Sequence, residues 1–247
     1  MMNKLKIAAI LAGSAALAAP AFGSTIMQAL SGGAGSYTLN DVEVVGILDS
    51  FTTNNTAVLQ DSTGSIIDYH IAAATYVPAV GDLINLTATN APYQDGAELT
   101  STSGVSVISS LNPVPTPPVL TIPQFLAASN TSGTGTNGES IVTLDDVSFV
   151  GAPATLLSNT SYTLTDGTNT ATFYGYKSYS NVLAGLGAVN ALGGGNAGTL
   201  DITGYVDNFF GKSELYPLSV VAVPEPVSAG LLTFGCVAML MRRRRTA

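Results

Sequence analysis

Cysteine is almost missing from this chain: its 247 residues contain one, Cys236, and that one lies in an apolar run near the C-terminus. The body therefore has no disulfide framework, no thiol nucleophile and no cysteine metal cluster, and its stability must come from packing. Histidine is equally scarce. One imidazole, His70, cannot build a multi-histidine metal centre, and no framed nucleophile accompanies it for Ser-His-Asp chemistry. Its place in Asp68-Tyr69-His70-Ile71 reads as a strand-face side chain. Cations are few and pushed to the ends, with Lys4 and Lys6 at one and Arg242, Arg243, Arg244 and Arg245 at the other. Only Lys177 and Lys212 fall between, against all sixteen acids, so that stretch has a formal charge of −14. Such a field repels phosphate chains, which leads to the expectation that nucleic acid is not a partner. Gly193-Gly194-Gly195 has no following lysine and makes no phosphate loop. Nothing implies a cofactor, and no Asp-rich loop has calcium-binding spacing.

Long apolar runs are missing from the body and occur only at the two ends. The start, MMNKLKIAAILAGSAALAAPAFGS, has two lysines, an apolar stretch from Ile7 to Ala19 and the small residues Ala21 and Gly23. These are the parts of a secretory signal, residues 1–23, with cleavage expected before Ser24. At the other end Val227 to Met241 is uncharged and short for a membrane span, which needs roughly 20 apolar residues. The four arginines after it would stay cytoplasmic and leave the acidic body outside. A temporary membrane stop is the expectation, with an ordinary C-terminal anchor as the alternative.

Pro224-Glu225-Pro226, the short apolar segment and the arginine cluster together resemble the PEP-CTERM sorting signal of Gram-negative bacteria. The resemblance covers residues 223–247. It implies recognition by an exosortase, cleavage near the Pro-Glu-Pro motif, passage to the cell surface or beyond, and a setting of exopolysaccharide production. Two prolines also hold the segment extended, which keeps it accessible to a protease.

Between the ends the sequence alternates as half-buried strands do. Val42 to Ile47, Ile66 to Ile71 and Leu83 to Thr87 are rich in β-branched residues and bounded by turn formers. The body reads as all-β, and it repeats. Leu39-Asn40-Asp41-Val42 returns as Leu144-Asp145-Asp146-Val147, and Leu59-Gln60-Asp61 returns as Leu164-Thr165-Asp166, with 20 positions between the aspartates in each copy. Gly81-Asp82-Leu83-Ile84 matches Gly198-Thr199-Leu200-Asp201, and Glu98-Leu99 matches Glu214-Leu215. The second copy carries extra length around Val182 to Gly195, expected as a short helix and turn on a surface connection.

This order of elements resembles the OB-fold-like domains of exported bacterial proteins, notably in Val42-Glu43-Val44-Val45-Gly46 and Gly81-Asp82-Leu83-Ile84. The resemblance implies two tandem small β-barrels, at 38–110 and 140–222, with a β-sandwich pair as the alternative. Residues 24–37 then read as an N-terminal linker, and 111–139 as a proline-stiffened linker and flexible loop, with a short helix near Thr121 to Ala128.

One segment suggests a binding strip. Phe173-Tyr174-Gly175-Tyr176-Lys177-Ser178-Tyr179 packs four rings and a cation into seven residues. As a strand it would put Tyr174 and Tyr176 on one face and Phe173, Lys177 and Tyr179 on the other. Tyr174, Tyr176, Tyr179 and Lys177 are the candidate ligand contacts, for sugars above all, and packing along the strand is the alternative. Asp41 with Glu43, and Asp145 with Asp146, are the only carboxylate pairs that suggest glycoside hydrolysis. The sequence thus points to an exported, non-enzymatic surface or matrix protein, with exopolysaccharide or other surface proteins as partners. The alternatives are an oligosaccharide-binding module and, behind it, a secreted hydrolase.

Overall fold

The computed structural model describes residues 23–94, 96–129 and 139–224. The signal stretch 1–22, Glu225, Pro226 and the four arginines lie outside the described residues, and so does the loop 130–138.

The first copy opens with α1 (Ile26–Gly32), started by a capping box in which Thr25 Oγ1 accepts from Gln28 N–H at 3.2 Å and Gln28 Oε1 from Thr25 N–H at 2.8 Å. Then follow β1 (Gly35–Ser50), β2 (Asn54–Asp61), β3 (Gly64–Ala72), β4 (Leu83–Asn90) and β5 (Glu98–Ser109). These strands close in the order β1-β2-β3-β5-β4, with β3 and β5 parallel and β4 returning to β1. The second copy is led by β6 (Val119–Leu120) and α2 (Ile122–Ser129). Its barrel consists of β7 (Ile141–Val150), β8 (Ser161–Thr165), β9 (Thr170–Tyr174), β10 (Leu200–Phe209) and β11 (Lys212–Ala222), with α3 (Ser180–Ala191) between β9 and β10. The order β7-β8-β9-β11-β10 closes through β10 on β7, again with the third and fifth strands parallel. Two closed five-stranded barrels of this order are consistent with OB-like folds and replace the sandwich alternative.

The repeated aspartates have local work. Asp41 and Asp146 both sit at positive φ, 54° and 51°, where their strands slip register against β4 and β10. Each N–H at the bulge is met by a side chain, Asn85 Oδ1 at 2.9 Å and Asp201 Oδ1 at 3.0 Å. Asp61 and Asp166 close the next hairpins: Asp61 Oδ1 accepts from Thr63 and Gly64 N–H, Asp166 Oδ1 from Thr168 and Asn169 N–H.

The repeat is longer than the strand pattern indicates. Thr25-Ile26-Met27-Gln28 at the start of α1 has its counterpart in Thr121-Ile122-Pro123-Gln124, where Gln124 Oε1 accepts from Thr121 N–H at 2.9 Å. Ile26 and Ala29 belong to the first core, and Ile122 and Phe125 to the second. The stretches 24–37 and 111–139, expected as linkers, thus each carry a helix that packs on its own barrel. β6 also pairs in parallel with β7.

A third apolar cluster joins the barrels, with Leu48, Val58 and Ile67 from the first against Tyr179, Val182, Tyr205 and Tyr216 from the second. The extra length of the second copy is part of this joint. Val182, Leu186 and Val189 of α3 are buried, and Asn181 Nδ2 donates to Ile47 O at 2.8 Å. The insertion, expected on a surface connection, has its start docked against the first barrel instead.

Candidate functional site

Parallel pairing of the third and fifth strands fixes equivalent positions in the two barrels. Ile67 pairs with Glu98 and Asp68 with Leu99; Thr172 pairs with Glu214 and Phe173 with Leu215. Leu99 and Leu215 point into their own cores. By strand alternation Glu98 and Glu214 must then point away from them, and Tyr69 and Tyr174, two residues beyond Ile67 and Thr172, share that outward face. Five residues before each glutamate stands another aromatic, Tyr93 or Phe209, and their ring centroids are 6.5 Å apart. The hairpins that carry them touch, Phe210 N–H donating to Gln94 O at 3.0 Å. The two copies therefore present the same face to each other.

Between these faces lies a cavity of about 520 Å³, within the range of roughly 300 to 1,000 Å³ usual for small-molecule sites. Seven of the chain's ten tyrosines line it. Tyr69 and Tyr93 come from the first barrel. The second supplies Tyr174 from β9, Tyr176 and Tyr179 from the connection into α3, Tyr205 from β10 and Tyr216 from β11. Tyr176 meets Tyr179 edge to face at 4.8 Å and stacks with Tyr174 at 6.3 Å, while Tyr216 lies 5.6 Å from Tyr174 and 5.9 Å from Tyr205. Offset and edge-to-face contacts at these distances fix the rings against one another.

Four carboxylates complete the lining: Glu98, Glu139, Asp207 and Glu214. Two are held by phenols, Tyr205 Oη donating to Glu139 Oε2, and Tyr216 Oη to Asp207 Oδ2 at 2.6 Å. Burial, with the Asp207 charge added, pushes Glu98 and Glu214 up to about 7, and Lys212 draws Glu214 back in part. Burial raises Glu139 far above the ordinary carboxylate range, and it raises Asp207 as well. The same desolvation, beside Asp207, carries the Tyr179 and Tyr216 phenols upward. Among the described residues no lysine, arginine or histidine lines the cavity. Among the described residues no three acids or histidines converge closely enough to hold a metal ion.

The structure brings together three of the four expected ligand contacts. β9 ends at Tyr174, and the chain turns at Gly175 toward α3. Tyr179 therefore swings to the side of Tyr174 and Tyr176 instead of sharing a face with Phe173, which lies in the second barrel's core. Lys177 is exposed and lines no part of the cavity; its N–H donates to Asn159 Oδ1 at 3.0 Å. Pro224 is the last described residue, and the rest of the sorting motif lies outside. The carboxylate pairs Asp41 with Glu43 and Asp145 with Asp146 are not in the cavity, since Asp41 and Asp146 shape bulges. His70 is exposed at φ 63° and stacks on Tyr69 at 3.7 Å.

Sequence reasoning missed Glu98, Glu214, Glu139 and Asp207 as site residues. The first two were in view as the repeated Glu-Leu anchor. The signal that marks them is a polar residue kept in both copies on the strand face opposite a core leucine, with an aromatic five positions before it.

No family model and no curated protein matches this chain. Among solved structures it is similar to a murine DNA-binding protein bound to double-stranded DNA, at 13% identity and a TM-score of 0.37, over 77% of this chain and 97% of that one. The expectation that nucleic acid is excluded as a partner does not stand. Net charge sums over a whole surface, whereas binding is decided by local patches, so a formal −14 does not exclude such a partner.

Proposed function

We propose that this chain is a non-enzymatic binding module that takes an oligosaccharide in the cavity between its barrels. The observation that carries the reading is the lining itself: tyrosine rings from both copies, fixed by mutual packing, beside carboxylates that accept hydrogen bonds from hydroxyls. Rings of this kind cover the apolar C–H face of a sugar, and rigid aromatics lose little entropy on binding.

Hydrolysis is the weaker reading. A pair of glycosidase carboxylates needs environments that push the two apart, one kept protonated and one ionised. Here all four are shifted in the same direction, upward. None is drawn below its ordinary range, as a nucleophile or base would be.

The export and sorting signals fit this role. We infer that the chain is carried across the inner membrane, held by its C-terminal apolar segment, cut near Pro224-Glu225-Pro226 and released to the cell surface or matrix. Intact-mass measurement of the protein from its native host tests the sorting; Arg245 still attached would sink it. Calorimetry of the full chain with oligosaccharides tests the binding. The double variant Tyr174→Ala with Tyr176→Ala should weaken association at least about tenfold, or ~1.4 kcal/mol. Unchanged affinity in that variant would remove the cavity from the account.

A further inference from the structure

We propose that the saccharide is a cationic one, an amino sugar with free ammonium groups, its ring face on the tyrosines and its nitrogens among the carboxylates. This rests on the binding reading above and adds the charge class of the ligand.

The first observation is the imbalance of the lining, four carboxylates and no cation. An acidic cluster alone could be mere surface, but the second observation lies inside it. Glu139 is 5% exposed, Tyr205 occupies its Oε2, and its Oε1 has no hydrogen-bond partner. A buried carboxyl oxygen left unpaired costs stability unless a partner reaches it, and an ammonium entering through the cavity would fill that place and let Glu139 ionise. The space is kept by Gly96, where a Cβ would stand 3.0 Å from that same Oε1. The third observation is the rings. Their faces carry negative quadrupoles that attract organic cations, so rings and carboxylates select the same charge.

The alternatives fit less well. A divalent cation needs convergent oxygens, and no three acids converge among the described residues. A uronate or phosphorylated sugar would meet four acids with no counter-charge. A neutral sugar would leave the raised carboxyls protonated and draw nothing from their charge. An ammonium group, by contrast, lets Glu98 and Glu214 ionise as it enters, so binding releases protons.

The test is calorimetry on the full chain with three oligomers of equal length and linkage: glucosamine, N-acetylglucosamine and glucose. Each is titrated at about pH 5.5, where the two glutamates start mostly protonated and the sugar amines are fully charged, in two buffers of different ionisation enthalpy. The glucosamine oligomer should bind at least tenfold more tightly than the other two and release protons. Glu98→Gln with Glu214→Gln should remove both the preference and the proton release, while the unfolding midpoint stays at or above that of the parent. Equal or tighter binding of the acetylated or neutral oligomer overturns the charge assignment and leaves the saccharide reading in place. Binding of none of the three overturns the saccharide reading and this inference with it.

Discussion

The carboxylate of Asp49, on the first barrel, closes the N-terminus of α3 in the second: Oδ1 accepts from Ser180 N–H at 3.1 Å and from Ser180 Oγ at 2.8 Å. An acid at this end of a helix meets free N–H groups and the positive pole of the dipole. Asp49 is 5% exposed and Ser180 half-buried, so removing the carboxylate takes this partner from donors that are partly shielded from water. Asp49→Ala should cost about 2 kcal/mol in urea unfolding. Because it loosens the joint that shapes the cavity, it should also weaken saccharide binding, whereas an unaltered midpoint would mean that the contact holds nothing.

Stability should fall as pH rises through the acidic range. Glu98 and Glu214 move from 4.5 to about 7 on folding, and Asp68, wholly buried on β3 with Thr102 Oγ1 donating to it, moves from 3.8 to about 7. Each group holds its proton more tightly in the folded chain. Folding is therefore favoured most below about pH 4, loses ground as pH climbs to about 7, and levels off above. Asp207 on β10, buried Glu139, the tyrosines on β3, β9 and β11 and the lone cation Lys212 all face this cluster and set the slope together. Glu98→Gln should flatten the curve of unfolding midpoint against pH and raise the midpoint at pH 8; a steeper curve would refute the assignment.

Two equivalent glycines should respond unequally to alanine. Gly81 and Gly198 both lie at positive φ, 87° and 76°, but a Cβ on Gly81 would come within 2.5 Å of Asn112 O, while Gly198 has open space around it. Gly198→Ala should cost about 1 to 2 kcal/mol for backbone strain. Gly81→Ala should cost roughly 3 kcal/mol or more, since the clash adds to the strain. Urea midpoints at constant m check both, and equal losses would contradict the difference in surroundings.

Helix α1 should count as part of the first core. Ile26 is fully buried, and its N–H donates to Asp61 Oδ2 at 2.8 Å. Ile26→Ala should destabilise by about 2 to 5 kcal/mol. A loss below 0.5 kcal/mol would return residues 24–37 to the linker first expected there.

Lys177→Ala should leave saccharide affinity unchanged, since the side chain is exposed outside the cavity. A calorimetric loss comparable to that of the tyrosine double variant would put the ligand on the outer surface instead.

The amino-acid sequence alone determined the strands, their hairpins and their duplication. These depend on short-range rules: alternation along β1 and β4 and the turns at Asp61 and Asp166. The helices that open each copy were equally local, written in Thr25-Ile26-Met27-Gln28 and Thr121-Ile122-Pro123-Gln124, but their packing on the barrels was not. Tyr174, Tyr176 and Tyr179 stood out because they are adjacent. Glu98 and Glu214 did not, because they lie 116 positions apart and neither is unusual in its own strand. Only the tertiary structure decided that the two copies face each other through the same strands, since that depends on α3 docking beneath Asp49 and on Phe210 meeting Gln94. The cavity, its upward-shifted acids and the open oxygen of Glu139 follow from that encounter. Desolvation is a property of the surroundings and not of the residue, which is why the site is absent from either half read by itself.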